Sequence, residues 1–251
     1  MMTEIWAHRG ASGYAPENTL DAFALAVEQG ADGIELDVQM TKDGYLVVIH
    51  DEMVDRTSDG AGWVRDYTLQ ELKRLNASKT IPGYKRTEIP ALSEVYELFQ
   101  GNRKRINVEI KTGIVFYPGI EEQVLDLTAK MSMEDRVLYS SFDHQTMVNM
   151  KKLNPASACG LLYEDGYLGM DRYCRELGMD ALHPALYNLQ YEGFLENCKK
   201  KGIPLHVWTV NEPEHMKVMY QMQVEAIITN YPDRALELRR EFSSTLSCCT
   251  E

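Results

Sequence analysis

The chain has 251 residues, 44% of them hydrophobic, which is ample for one large domain or two small ones with a buried core. Its 26 Lys and Arg face 38 Asp and Glu, for a formal net charge of −12. Such a surface repels nucleic acid and anionic membrane on average, so neither is expected as a partner, and an anionic small molecule would have to be met by cations placed locally.

In chain order, residues 5–8 read as a short first strand. Asn18-Thr19 then caps a helix with apolar periodicity (Leu20, Phe23, Ala24, Val27), which Gly30 ends. Residues 33–38 form a second strand, with Glu35 and Asp37 on one face and Ile34, Leu36 and Val38 on the other. Thr41-Lys42-Asp43-Gly44 carries the Asp-Gly signal of a hairpin turn, and residues 45–50 return as an extended run. That turn folds residue 50 back beside residue 37, so residues 45–50 are an excursion and not a strand of the main sheet. Residues 51–105 break the rhythm. They hold Gly60-Ala61-Gly62, a short helical run at 69–75, Ile81-Pro82-Gly83, Ile89-Pro90 and a helix at 92–99 capped by Ser93. This stretch reads as an insertion of mostly loops over one end of the domain.

From residue 105 strand and helix alternate. Strands are expected at 106–111, 137–141, 158–163, 181–183, 205–210 and 226–229. Helices are expected at 120–131, 144–153, 171–177, 191–201 and 213–222. With the first two strands this makes eight parallel units, which close into a (β/α)8 TIM barrel. An open dinucleotide-binding sheet would want a glycine-rich turn leading directly into a helix after the first strand, and Gly10-Ala11-Ser12-Gly13 only loosely resembles one. The expected architecture is α/β: one barrel over residues 1–240 with an extra hairpin strand, the insertion at about 51–105, and a polar tail at 241–251.

No apolar run approaches the roughly 18 residues of a spanning helix, and Met1-Met2-Thr3-Glu4-Ile5 lacks the basic-then-apolar pattern of a signal peptide. The five cysteines, Cys159, Cys174, Cys198, Cys248 and Cys249, include no Cys-x-x-Cys pair. Free thiols in a reducing, cytoplasmic setting are expected, with Cys159 in the core. Cys248-Cys249 has neither His partners nor a prenylation box. Monomer and homo-oligomer both stay open.

The polar residues fall at carboxyl ends of strands, where barrel active sites form. His8 and His50 supply one base and one acid, as phosphodiester cleavage requires. Glu35, Asp37 and Glu109 come from neighbouring strands, and salt bridges to Arg9 and Lys111 leave excess negative charge that one divalent cation would cure. Oxygen ligands of this kind suit Mg²⁺ or Ca²⁺. Arg9 offers the fork that fits phosphate oxygens. Lys111 shares parity with Glu109 and reaches the same mouth. Trp208, with His206 and Val210 on its face, can wall the pocket and pack on a small polyol. Glu17, Asn18, Ser141, Phe142 and His183 are weaker candidates for a supporting shell. Asn211 reads as a helix cap before Pro213, and His144 and His215 as surface residues at helix starts.

The segments His8-Arg9-Gly10, Pro16-Glu17-Asn18-Thr19, residues 33–38, Thr41-Lys42-Asp43-Gly44, His50-Asp51, Glu109-Ile110-Lys111, Ser141-Phe142, Trp208-Thr209-Val210-Asn211 and Thr229-Asn230-Tyr231-Pro232-Asp233 come in that order. Together they resemble the bacterial glycerophosphodiester phosphodiesterases, of the barrel superfamily that also holds phosphatidylinositol-specific phospholipase C. The resemblance runs from His8 to about Arg234. It implies that His8 and His50 are the acid–base pair, that Glu35, Asp37 and Glu109 bind the divalent ion, and that Arg9 and Lys111 hold the phosphate. It also implies hydrolysis of glycerophosphodiesters, such as glycerophosphocholine and glycerophosphoethanolamine, to an alcohol and sn-glycerol 3-phosphate. Asn230 departs from the pattern, since some members carry Asp there. Placed outside the expected shell, it should matter little. Two other readings compete: a lysophospholipase D-like phosphodiesterase on longer lipids, and a non-catalytic binder of glycerol phosphates. The first would need an apolar groove on the insertion, where Trp63 and Tyr67 are the only large aromatics of the first part. The second would need no pair of histidines.

Overall fold

Eight parallel strands close on themselves, and a ninth stands outside the ring. A computed structural model describes residues 2–248. The strands are β1 (Glu4–His8), β2 (Gly33–Met40), β3 (Leu46–Val48), β4 (Arg105–Ile110), β5 (Val137–Ser141), β6 (Ala158–Tyr163), β7 (Ala181–Pro184), β8 (His206–Val207) and β9 (Ala226–Thr229). All but β3 run in the order β7-β6-β5-β4-β2-β1-β9-β8. The ends of that path meet: Leu182 bridges Leu205 and Ala185 bridges Trp208, both in parallel. The expected (β/α)8 barrel is therefore the fold. The strand expected over 205–210 shortens to β8.

β3 pairs only with β2, antiparallel, with Val38 opposite Val48 and Gln39 opposite Val47. The hairpin excursion is as read, with one change of register. Ile49 N–H donates to the Asp37 carbonyl at 3.0 Å, so residue 49 faces residue 37. The strand ends at Val48 and leaves His50 on the turn beyond it.

The crossover helices are α1 (Leu20–Gln29), α2 (Leu69–Leu72), α3 (Leu92–Phe99), α4 (Ile120–Lys130), α5 (His144–Leu153), α6 (Met170–Glu176), α7 (Phe194–Lys200), α8 (Pro213–Met222) and α9 (Pro232–Cys248). α1 starts at Thr19, whose hydroxyl accepts the Ala22 N–H, and ends at Gly30, whose φ of 91° suits a residue without Cβ. Four local expectations change. α2 stops at Leu72. α3 is capped at Ala91, whose N–H donates to the Glu94 carboxylate at 2.7 Å, and Ser93 lies inside the helix. The helix expected at 191–201 starts only at Phe194, because Gly193 enters α7 with a φ of 74°, and an unexpected 3-10 turn (Leu186–Gln190) precedes it. Residues 241–248 continue α9, which Arg239 anchors by donating to the Thr3 carbonyl and to Asp32. Cys249 lies outside the described residues. Cys159, Cys174 and Cys198 are buried free thiols. Among the described residues no helix is long and apolar enough to cross a membrane.

Ile34, Leu36 and Val38 of β2 and Ile106, Val108 and Ile110 of β4 belong to the main core, together with residues of the crossover helices. The alternate positions of the same strands carry Glu35, Asp37, Asn107 and Glu109, all buried. Residues of the hairpin and insertion form a cluster of their own: Val47, Ile49, Val54, Val64, Leu72, Ala77 and Ile89.

Inside the barrel His183 and His206 meet, Nε2 to Nδ1, at 2.9 Å. Burial pushes both rings toward the neutral form, His206 down to about 3. Gly160 of β6 leaves room for this pair, since a Cβ there would stand 2.4 Å from His183 Nε2. Gly160→Ala is expected to cost roughly 1–3 kcal/mol by overpacking, read as a lower Tm in calorimetry. An unchanged Tm would show that the pair has room to move.

Candidate active site

β1 delivers His8 to the carboxyl-terminal mouth. Arg9 and Gly10 follow in the left-handed region, at φ 57° and 80°. Gly10 has to be there, because a Cβ would stand 2.6 Å from the Ala22 backbone. The turn directs the Arg9 N–H at Glu35, donating to its carboxylate at 3.0 Å. Parallel register then sets Asp37 of β2 opposite Glu109 of β4.

Glu35, Asp37 and Glu109 are buried, and one ligand oxygen from each lies within 4.8 Å of the others. Asp37 Oδ2 accepts from Asn18 Nδ2 at 2.8 Å and faces Arg9 Nε at 3.4 Å. Its other oxygen, Oδ1, is buried with no hydrogen-bond partner. A bare buried carboxylate oxygen is costly unless something positive meets it. Burial works against the Asp37 carboxylate, but Arg9, His50 and Lys111 outweigh it and hold the carboxyl well below its usual range. Glu35 goes the other way: burial, then Asp37 and Glu109, push it far up. Burial lifts Glu109 too, with Lys111 opposing. An all-oxygen donor set with an orphaned oxygen and mutually repelling neighbours fits a hard divalent cation.

The cations at the mouth are shared. Lys111 Nζ lies 3.1 Å from Glu109, 4.0 Å from Asp37 and 3.3 Å from His50 Nε2. Arg9 donates to Glu17 at 2.8 Å, and Arg56 of the insertion spans Glu17 and Asp51. Five carboxylates thus face three cations.

Both candidate histidines are oriented through Nδ1. His50 Nδ1 lies 2.6 Å from the Asp51 carboxylate, and Nε2 is left to accept from Lys111. His8 Nδ1 lies 2.7 Å from Asn230 Oδ1. An amide oxygen only accepts, so the ring proton is on Nδ1 and Nε2 is bare, 3.9 Å from Glu35. Burial, with Arg9 beside it, holds His8 down at about 4. Asn230 therefore touches His8 directly, which corrects the expectation that it lies outside the shell.

A pocket of about 270 Å³ is lined by His8, Arg9, Glu35, His50, Glu109 and Trp208, among others. Trp208 donates its indole N–H to the His183 carbonyl at 2.7 Å, and Phe142 meets it edge-on at 5.5 Å. Phe142 lines the mouth as expected. Glu17 and Asn18 support Arg9 and Asp37. Ser141 does not reach the pocket: its hydroxyl donates to the Ile110 carbonyl and accepts from Asp143 N–H. His183 does not reach it either, being spent on His206 one layer deeper. Asn211 holds the Asn230 N–H at 2.9 Å and caps nothing, since α8 is capped at Glu212. His215 is exposed, whereas His144 is half-buried and bonded to the Leu162 carbonyl.

The model of the glycerophosphoryl diester phosphodiesterase family matches residues 8–234. The chain belongs to that family. A glycerophosphodiester phosphodiesterase of Caldanaerobacter subterraneus is 46% identical over 242 residues, covering 96% of this chain and 99% of that one. One of Bacillus subtilis is 36% identical, with 90% and 83% covered. Among solved structures, an Oleispira antarctica phosphodiesterase in complex with the product sn-glycerol-3-phosphate superposes with a TM-score of 0.83 at 28% identity, covering 94% of this chain and 96% of that one. The protein is thus an enzyme, a phosphodiesterase of the glycerophosphodiester type.

The enzyme's mouth holds residues that sequence reasoning passed over. Gln39 is fully buried. Its amide nitrogen donates to the carbonyls of Ile49, His50 and Asp51 at 3.1, 3.0 and 2.7 Å, and its oxygen accepts from Tyr117 at 2.9 Å. Its signal was parity, for residues 35, 37 and 39 share one face of β2. Arg56 had no local signal.

Two outcomes are expected. Gln39→Leu strips a donor from three carbonyls and should cost roughly 1–3 kcal/mol in stability, with a loss of turnover larger than any loss of cation affinity. Equal losses would count against this geometry. For the carboxylates the sign is fixed by the raised pair. Glu35 and Glu109 hold protons above the ordinary carboxylate range in the cation-free protein, so cation binding must expel them. The rise in Tm given by saturating Mg²⁺ or Ca²⁺ over chelator should be larger at pH 8 than at pH 5. A rise independent of pH would contradict the raised values.

Proposed function

We propose that the enzyme hydrolyses glycerophosphodiesters to an alcohol and sn-glycerol 3-phosphate, with His8 and His50 as acid–base pair and one Mg²⁺ or Ca²⁺ held by Glu35, Asp37 and Glu109. The observation that carries it is the orphaned Asp37 oxygen among three buried carboxylates, in one mouth with two imidazoles fixed through Nδ1. When bound, the cation polarises the phosphoryl oxygens and offsets the charge that builds on them. Arg9 and Lys111 hold the remaining phosphate oxygens.

The glycerol hydroxyl next to the ester attacks phosphorus, and proximity favours this internal nucleophile. The bare Nε2 of neutral His8 takes the hydroxyl proton while Asn230 keeps the ring's other proton in place. As the P–O bond to the departing alcohol breaks, His50, which enters the step protonated on Nε2 with Lys111 turned from it to the phosphate, gives that alkoxide its Nε2 proton. Asp51 fixes the ring through Nδ1 at 2.6 Å, which aims Nε2 at the departing oxygen. Water then opens the cyclic phosphate with the two histidines in exchanged roles.

The longer-lipid reading gains nothing from the insertion, where Val54, Val64, Leu72, Ala77 and Ile89 are buried in one cluster and the exposed Met53 and Leu98 are scattered. The buried free thiols are compatible with a reducing, cytoplasmic setting.

Release of glycerol 3-phosphate from glycerophosphocholine tests the reaction. His8→Ala and His50→Ala should each lower kcat by roughly 10²–10⁴. A glycerophosphodiester of 4-nitrophenol, whose leaving group needs no proton, should restore His50→Ala and leave His8→Ala impaired. Rescue of both, or near-normal turnover by His50→Ala on the choline ester across pH 6 to 9, would sink the assignment.

A further inference from the structure

Beside the catalytic pocket lies a larger groove of about 560 Å³, formed by the chain that follows β5 and β6. Phe142, Tyr167 and Tyr173 are among its lining, and Glu164 and Asp165 add two carboxylates. Phe142, Leu162 and Glu164 line both cavities, so the two are continuous. The catalytic mechanism uses none of these groove side chains.

The groove's chemistry is one-sided. Its lining includes no Lys or Arg. Glu164 accepts from Tyr187, and neither it nor Asp165 forms an ion pair among the described residues. The aromatic walls are open to solvent: Phe142 is 45% exposed, Tyr167 55% and Tyr173 38%. An acyl chain laid here would press against two carboxylates and desolvate them without compensation. An anionic alcohol would meet like charge. A neutral polyol would leave the carboxylates as they are. A positively charged amine or quaternary ammonium gains from both features, through attraction to aromatic faces and to the carboxylates.

We infer that this groove is the subsite of the departing alcohol and that it selects alcohols carrying an alkylammonium group over neutral ones. The inference rests on the phosphodiesterase reading above, and adds to it a site and a charge rule.

The test compares glycerophosphocholine with glycerophosphoglycerol in the wild-type enzyme and in Asp165→Asn/Tyr167→Ala, both exposed loop positions. The wild type should favour the choline ester in kcat/KM by roughly tenfold, the scale of one exposed ammonium–aromatic contact plus one exposed ion pair. The double variant should lose that preference through KM, which rises for the choline ester several-fold more than for the glycerol ester. Equal kcat/KM for the two esters in wild type, or an equal fall for both in the variant, would overturn the inference. A parallel NMR titration with choline chloride needs no turnover. Choline shifts on the groove in wild type and not in the variant keep the inference alive even if no diester is cleaved, a result that would strike the hydrolase reading instead. No binding of choline to either protein overturns it.

Discussion

Three buried carboxylates within 4.8 Å of one another are the constraint around which the mouth is arranged. Fully charged, two such groups repel by roughly 3 kcal/mol at an effective dielectric constant of about 20. The barrel holds them together because parallel register leaves no choice: Asp37 lies opposite Glu109, and Glu35 is two residues back on the same face. Relief comes from the surroundings. Arg9 turns left-handed so that its N–H meets Glu35 and its guanidinium meets Asp37. Lys111 doubles back on Glu109, and Asn18 holds the one Asp37 oxygen that faces it. What these groups leave uncompensated is the negative charge that a hard divalent cation could meet.

What the sequence disclosed follows the reach of each physical rule. Strand alternation is local, so Glu35 and Asp37 on one face were legible, and the same alternation would have exposed Gln39. Turn length sets hairpin register, so His50 was placed within one residue of its position. The one-residue difference lies in the turn: Thr41 N–H donates to the Tyr45 carbonyl, so Lys42, Asp43 and Gly44 form a three-residue loop where Asp43-Gly44 alone suggests two. Asn230 lies 222 positions from His8. Its contact exists only because β1 and β9 pair when the barrel closes, which is a property of the whole chain. His183 was misplaced for a different reason: alternation gives the direction of a side chain and not its depth, and β7 runs on to Pro184 beyond it. Ser141 shows the limit of choosing by residue type. Its neighbour Ser140 takes the inward position and donates to Asn107, which leaves Ser141 to tie the strand to Ile110.

The supporting contacts also show how a neutral partner can do the work of a charged one. Asp51 and Asn230 each fix one imidazole through Nδ1, and they differ by a full charge. On the proposed reading one ring is a base and the other an acid, and the difference between them lies in their partners.

Val47 and Ile49 of the hairpin and Val54, Val64, Leu72, Ala77 and Ile89 of the insertion form a small lobe with its own apolar cluster, whereas Leu46, Val48 and α3 join the main core. On the proposed reading, the ion-binding carboxylates and His8 belong to the barrel, while His50, Asp51 and Arg56 belong to this lobe. A unit with so little buried surface opens more readily than the barrel beneath it. Heat should therefore silence the enzyme before it melts it: the lobe peels away, proton delivery to the alkoxide stops, and the barrel goes on holding glycerol phosphate as a receptor would. On that reading capture rests on the barrel alone, whereas cleavage needs both units of the chain.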